Sequence, residues 1–218
     1  MKAISKLRSL ILIPLAVFGL AITADTSRLT PTVAPAVEKY SLDASQSRFI
    51  VRAFVGGLLS GFGHDHTIAI RDFTGEIELT QGSLEPASLQ MTIKADSLAV
   101  IDKVKEKDRR EIENTMRTEV LETAKYPEIV FRSTRVDALK TGEGTYSAKI
   151  WGELNLHGVT RAGLITAQLQ FSGNTIRARG EFPLKQTDYN IKQVSVAAGT
   201  IKVKDELKFS FDMVAVKR

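Results

Sequence analysis

A two-residue alternation of apolar and polar side chains runs through most of the chain from Tyr40 onward. Successive side chains of a β-strand point to opposite faces, so this pattern predicts strands that bury one face each. The alternation is clearest in five segments, which are 49–54, 89–95, 128–132, 149–156 and 208–215. Glycine-containing turn signals lie between such segments, at 81–83, 141–144 and 172–174. Closely spaced strands of this kind predict an all-β antiparallel meander that forms a sandwich or a barrel.

One segment, residues 104–123, does not alternate. It is rich in charge and contains neither glycine nor proline, and its apolar residues Ile112, Met116 and Val120 lie four positions apart. Leu121 widens this apolar stripe. Spacing of three to four residues predicts an amphipathic helix that covers an end or a flank of the sheet.

The side chains assigned to the inner face mix large and small residues, for example Phe131 and Phe211 beside Ala95 and Gly152. The interior of a barrel of about eight strands is either filled by its side chains or wide enough to hold one small ligand. Periodicity alone leaves both alternatives open.

The first 24 residues have the composition of a secretory signal peptide. A basic start is followed by an apolar run from Leu10 to Ile22 and by small residues up to Ala24. The run is short for a membrane-spanning helix, which needs about 20 residues, although a retained anchor is the alternative. Residues 25–38, rich in Thr, Pro and Ala, are predicted to be a flexible leader, and residues 39–218 the folded domain. We therefore expect a periplasmic protein.

The composition of the chain argues against several classes of function. The chain carries +5, but three cations lie in the predicted signal peptide, so the remainder carries only +2. No dense cluster of Lys and Arg with interleaved aromatic residues is present, so we expect no nucleic-acid partner. The chain has no cysteine and therefore no disulfide bond. It also lacks any nucleophile or phosphate-binding motif, so we do not expect an enzyme.

Three histidines, His64, His66 and His157, are the candidate metal ligands. On a strand, His64 and His66 would share one face with Ile68 and Ile70. With His157, which follows a predicted strand, they could form a three-nitrogen site with an open position, as in a metal-binding protein or metal-dependent enzyme. The alternative is that the first two are hydrogen-bonded polar residues at the barrel mouth and that His157-Gly158 is a turn. We expect no zinc.

Four segments in the same order resemble the YceI-like family of bacterial periplasmic proteins. They are 42–47 (LDASQS), 73–77 (FTGEI), 124–133 (AKYPEIVFRS) and 152–160 (GELNLHGVT). The resemblance extends from about Tyr40 to the end of the chain. One segment, 63–66 (GHDH), departs from the family pattern.

The resemblance implies an extended lipocalin-like barrel of about eight antiparallel strands with one helix against it. It also implies an apolar tunnel for a polyisoprenoid chain, such as an isoprenoid quinone or lipid, serving transport, storage or stress response without catalysis. The inward apolar residues that we assign to the tunnel are Phe49, Val51, Ile68, Ile70, Phe73, Met91, Ile93, Phe131, Leu154, Phe209 and Phe211. The sequence leaves open which lipid is bound, whether the protein touches a membrane transiently, and whether it forms a homodimer.

Overall fold

The computed structural model describes residues 36–58, 60–80 and 83–218. The predicted signal peptide, and the predicted leader up to residue 35, lie outside the described residues. The described part contains fourteen β-strands: β1 (Val37–Leu42), β2 (Arg48–Ala53), β3 (Val55–Gly56), β4 (His66–Ile70), β5 (Phe73–Thr80), β6 (Ala87–Lys94), β7 (Leu98–Val100), β8 (Glu128–Gly142), β9 (Thr145–Leu156), β10 (Val159–Ser172), β11 (Thr175–Lys185), β12 (Ser195–Val196), β13 (Ile201–Val203) and β14 (Glu206–Lys217).

Eight of these strands form a closed antiparallel barrel in the order β1, β5, β6, β8, β9, β10, β11 and β14. Pairing of β1 with β14, from Tyr40 opposite Lys217 to Leu42 opposite Ala215, completes the ring. The predicted all-β barrel of about eight strands is confirmed. Strand β1 begins at Val37, two residues before the predicted start of the folded domain.

Strand β14 belongs to two parts of the sheet, because one end of it pairs with β1 and the other end with β2. Strands β4 and β7 follow β2, so this end of the barrel is broader than a simple ring. Strands β3, β12 and β13 form a separate small sheet.

The predicted amphipathic helix lies against the broad end. It runs as an α-helix, α1 (Glu106–Thr115), and continues as a π-helical turn at Met116–Val120. Met116 and Leu121 are buried in the core, and Glu113 accepts a hydrogen bond from the Val100 backbone N–H at 3.0 Å. The helix is confirmed, although it is shorter than residues 104–123. No helix of the described residues is long and apolar enough to cross a membrane.

Buried side chains form two separate clusters inside the barrel. The larger one contains residues of β2, β4 and β7 together with Met116 and Leu121 and fills the broad end. The smaller one consists of Tyr40, Leu79, Ile176 and Ala215 at the opposite end. Apolar side chains therefore pack across both ends of the barrel.

On the outer surface, an ion-pair cluster joins β11 to β14. Arg177 holds both carboxylate oxygens of Asp212, at 2.6 and 2.7 Å, and Arg179 reaches Asp212 at 3.0 Å. Hydrogen bonding from Arg177 is the main cause that lowers the pKa of Asp212 to about 2.

This pair predicts a defined loss of stability in acid. Because the pKa of Asp212 is lower in the folded chain, its contribution is complete above about pH 4 and is lost as the pH falls through about 2. We expect Asp212→Asn to lower the free energy of unfolding near neutral pH. Between about pH 4 and pH 2, the free energy of unfolding of this variant should decline less than that of the native protein. Urea titrations of both proteins across this range test it, and parallel pH profiles would contradict it.

Candidate functional site

A cavity of about 610 Å³ lies inside the barrel, and residues of the larger buried cluster, among them Met91, Phe131 and Met213, form part of its wall. Every strand of the barrel contributes at least one apolar side chain to its wall: Leu42, Ile77, Met91, Phe131, Leu154, Ile165, Ala178 and Met213. Binding pockets for small molecules typically have volumes of about 300–1,000 Å³ and mainly apolar walls. The barrel is therefore hollow, and the alternative of an interior filled by side chains is excluded.

The cavity does not continue through the end that holds the smaller cluster. Tyr40 and Leu79 belong to that cluster and line a second cavity, of about 480 Å³, but not the first. The Tyr40 hydroxyl donates a hydrogen bond to Glu38 at 3.0 Å on this side. The main cavity is thus separated from the second one by packed side chains.

Six of the eleven residues predicted to line a tunnel border the cavity: Phe49, Met91, Ile93, Phe131, Leu154 and Phe211. The other five do not border it: Val51, Ile68, Ile70, Phe73 and Phe209. The first four of these are buried in the larger cluster, and Phe209 packs against it and stacks on Phe182 with ring centroids 4.9 Å apart. These five residues face the interior, but they fill the broad end of the barrel.

Residues of β10 and β11 complete the wall, and the sequence analysis did not assign them. They include Ile165 and Ala167 on β10 and Ala178, Phe182 and Leu184 on β11. Their signal was present, since Ile165, Ala167, Leu169 and Phe171 alternate with Thr166, Gln168 and Gln170. Small side chains at Ala167 and Ala178 leave space that larger ones would fill.

Polar side chains border the cavity only along one stretch of its wall. They are Arg161, Lys185, Asp188, Glu206 and Tyr189. Tyr189 is 7% exposed. Burial and then the negative charge of Asp188 raise the pKa of Tyr189, so this hydroxyl keeps its proton and can donate a hydrogen bond.

The histidines of the 63–66 segment differ from the prediction. Strand β4 begins at His66, so His64 is not on the strand and is exposed. His66 Nδ1 lies 3.0 Å from Asp102 Oδ2, and the same carboxylate accepts the Thr67 backbone N–H. His66 and Asp102 therefore fix the start of β4 beside β7. Neither histidine borders the cavity.

His157 is a turn residue. His157 and Gly158 connect β9 to β10, with φ angles of 52° and 74°. Two central residues with positive φ are typical of a type I′ hairpin turn. His157 Nε2 lies 2.7 Å from Glu122 Oε2 without the alignment of a hydrogen bond, and Nδ1 lies 3.3 Å from the Tyr189 carbonyl.

His66 and His157 have separate partners and His64 is exposed, and no group of three or more His, Asp or Glu within the described chain could hold a metal ion. The geometry supports the alternative of hydrogen-bonded and turn histidines. The fold thus provides an apolar cavity and no metal centre among the described residues.

The tight turn at Gly158 predicts a stability effect. A Cβ at this position would lie 2.6 Å from a ring carbon of Tyr126, and the φ of +74° is unfavourable for any side chain. We expect Gly158→Ala to lower the free energy of unfolding by about 1–3 kcal/mol. Urea denaturation tests this, with Gly61→Ala as the control, because a Cβ there meets no atom within 4 Å. Equal stability of the two variants would contradict it.

Comparisons with known proteins agree with this architecture. BcnA of Burkholderia cenocepacia superposes with a TM-score of 0.61 at 17% identity, over 80% of this chain and 99% of that one. A polyisoprenoid-binding domain from Saccharophagus degradans, implicated in plant cell wall breakdown, superposes with a TM-score of 0.60 at 19% identity, over 82% and 98%. The Campylobacter jejuni YceI protein gives 0.53 at 16% identity, over 69% and 84%. At these identities the likeness establishes the fold alone.

No sequence among the curated proteins matches this chain. The family model of the YceI-like domain, in contrast, matches residues 40–215, which is nearly the whole described barrel. The segments that resembled this family in sequence, from 42–47 to 152–160, lie on β1, β5, β8 and β9 and the turns beside them. The chain belongs to the YceI-like family.

Proposed function

We propose that this protein binds a single polyisoprenoid chain, or a similar single-tailed amphiphilic lipid, in the barrel cavity. The observation that carries the proposal is the cavity itself, about 610 Å³ of interior space with apolar walls. Transfer of an apolar chain from water into such a space contributes roughly 0.8 kcal/mol per CH₂ group. A tail of several isoprene units therefore binds without any ion pair in the wall.

The shape of the interior supports one tail rather than a compact polar ligand. Aromatic side chains, among them Phe49, Phe131, Phe182 and Phe211, line the cavity, while charged groups are confined to one stretch of the wall. The polyisoprenoid-binding domain of Saccharophagus degradans has the same fold, which favours an isoprenoid tail over a straight acyl chain.

We also propose a cellular location and a role for the protein. In residues 1–24 a basic start is followed by an apolar run and then by small residues, and this order supports export to the periplasm. A lipid that is insoluble in water needs a protein that carries or stores it there. Binding without catalysis is sufficient for this role. An isoprenoid quinone or another isoprenoid lipid is the ligand class that we propose.

Displacement of a fluorescent apolar probe tests the function. N-phenyl-1-naphthylamine is expected to brighten on binding the cavity, and geranylgeraniol is expected to displace it at a stoichiometry of one per chain. Hexadecanol, a straight-chain alcohol, serves as the comparison, and we expect it to bind about tenfold more weakly, a difference of about 1.4 kcal/mol. A protein that neither brightens the probe nor binds geranylgeraniol would overturn the proposal.

A further inference from the structure

The wall of the cavity is open between β10 and β11. Residues 161–165 of β10 all border the cavity, and so do residues 182–185 of β11. In a closed sheet only every second side chain faces the interior, because side chains alternate between the faces. Because consecutive residues of β10 and of β11 border the cavity, the cavity must reach the edges of both strands.

The strand register explains the opening. Strand β10 pairs with β11 only from Gln168 opposite Arg179 to Ser172 opposite Thr175. Beyond this point, residues 159–167 pair only with β9, and residues 180–185 pair only with β14. The two strands diverge and leave a gap, the β10–β11 slot, between 161–165 and 182–185.

Pro183 helps to keep the slot open. It has no backbone N–H, and within a sheet proline is tolerated on the side of a strand that lacks a partner. Its neighbours Phe182 and Leu184 pair with β14, so the side of β11 without a partner is the one that faces the slot. A proline at this edge disfavours continued pairing with β10.

The polar groups of the cavity wall lie along this slot or at its end. Arg161 is on the β10 edge, Lys185 ends the β11 edge opposite Glu206, and Asp188 and Tyr189 follow β11 directly. The Arg161 Nε donates a hydrogen bond to the Asp188 carbonyl at 3.0 Å, which closes the end of the slot. Two cations and two anions therefore balance each other at the opening.

We propose that the β10–β11 slot binds the polar head of the amphiphile whose tail fills the cavity, and that this head is neutral and forms hydrogen bonds. The inference rests on the proposed function and adds the position and class of the head. Unpaired strand edges offer both N–H donors and C=O acceptors, and the Tyr189 hydroxyl is a further donor. Because the slot reaches the cavity from both strand edges, we assign it as the way for the ligand to enter and leave.

Single-cysteine variants test the position of the head, and the chain contains no native cysteine to interfere. Leu164, on the β10 edge, is 45% exposed, and Leu139, an exposed residue of β8 that does not border the cavity, is the control. We expect saturating geranylgeraniol to slow maleimide modification of Leu164→Cys about fivefold and to leave Leu139→Cys unchanged. A polyethylene-glycol maleimide at Leu164→Cys is expected to slow binding of geranylgeraniol, whereas the same label at Leu139→Cys is not.

The results separate the two proposals. Tight binding of geranylgeraniol with equal reactivity at both thiols would overturn the slot and leave the proposed function standing. No binding by the unmodified protein would overturn both. Protection at Leu164→Cys alone supports the slot.

Charge variants test the class of the head. Asp188→Asn combined with Glu206→Gln removes both carboxylates that border the cavity and leaves Arg161 and Lys185 in its wall. We expect the ratio of the affinities for geranylgeranyl diphosphate and geranylgeraniol to shift about tenfold toward the diphosphate in this double variant. An unchanged ratio of the two affinities, or a native protein that prefers the diphosphate to the alcohol, would overturn a neutral head in the slot.

Discussion

Ala178→Trp is expected to abolish binding of an isoprenoid tail. Ala178 lies on the inner face of β11 and borders the cavity, and it pairs with Met213, another lining residue. An indole ring at this position would occupy the space that we assign to the ligand. We expect the affinity for geranylgeraniol to fall by about a hundredfold or more, which corresponds to about 2.7 kcal/mol.

The same substitution should leave the barrel folded. The added ring enters an existing apolar space rather than a packed one, so the free energy of unfolding should change by less than about 1.5 kcal/mol. Leu139→Trp places the same ring on the outer surface and is expected to keep native affinity. Native affinity in Ala178→Trp, with the fold intact, would show that the ligand lies elsewhere.

Gly152→Ala is expected to have the largest effect on stability. A Cβ at Gly152 would lie 2.4 Å from the Phe131 ring and 2.5 Å from the Arg132 carbonyl oxygen. The carbonyl belongs to the neighbouring strand β8 and is held by the pairing of β8 with β9. We expect the free energy of unfolding to fall by about 3 kcal/mol, because the two strands must separate locally.

The residue directly opposite provides a matched control. Gly163 pairs with Gly152 across β9 and β10, yet a Cβ there meets no atom within 4 Å. Gly163→Ala should therefore be neutral or stabilise by up to about 1 kcal/mol, since alanine restricts the unfolded chain more than glycine does. Thermal or urea unfolding of both variants measures the contrast, and equal losses would contradict the open slot at Gly163.

Much of the barrel follows from the two-residue period. Phe49, Met91, Phe131 and Met213 all lie inside, as the alternation predicts, because a strand with one apolar face must bury it. The helix is equally predictable, since Ile112, Met116 and Val120 lie four residues apart and all contact the larger buried cluster.

Alternation does not say at which height along the barrel an inward residue lies. Val51, Ile68 and Phe73 face inward like Met91, but β2 and β4 pair beside the barrel ring at its broad end and fill that end. Height depends on strand register and on the branching of β14, which are long-range properties. The cavity position therefore required the structure.

The β10–β11 slot was missed for a related reason. Residues 161–165 have the pattern of an ordinary strand, and the alternation gives no sign that pairing with β11 begins only at Gln168. Pro183 is the one local signal, because a proline within a strand marks an edge. The spacing of His64 and His66, in contrast, suggested a shared site that the structure lacks. This spacing predicts a shared face only if both residues lie on the strand, and β4 begins at His66.

The central claim is that the barrel interior is an empty apolar space that one lipid tail fills. Native mass spectrometry of the protein, purified from its own cells without detergent and then incubated with geranylgeraniol, measures this directly. We expect a single adduct per chain, either the cellular lipid or the added alcohol, that Ala178→Trp does not form. Detection of the unliganded protein mass alone, both before and after incubation, would contradict a lipid-binding cavity.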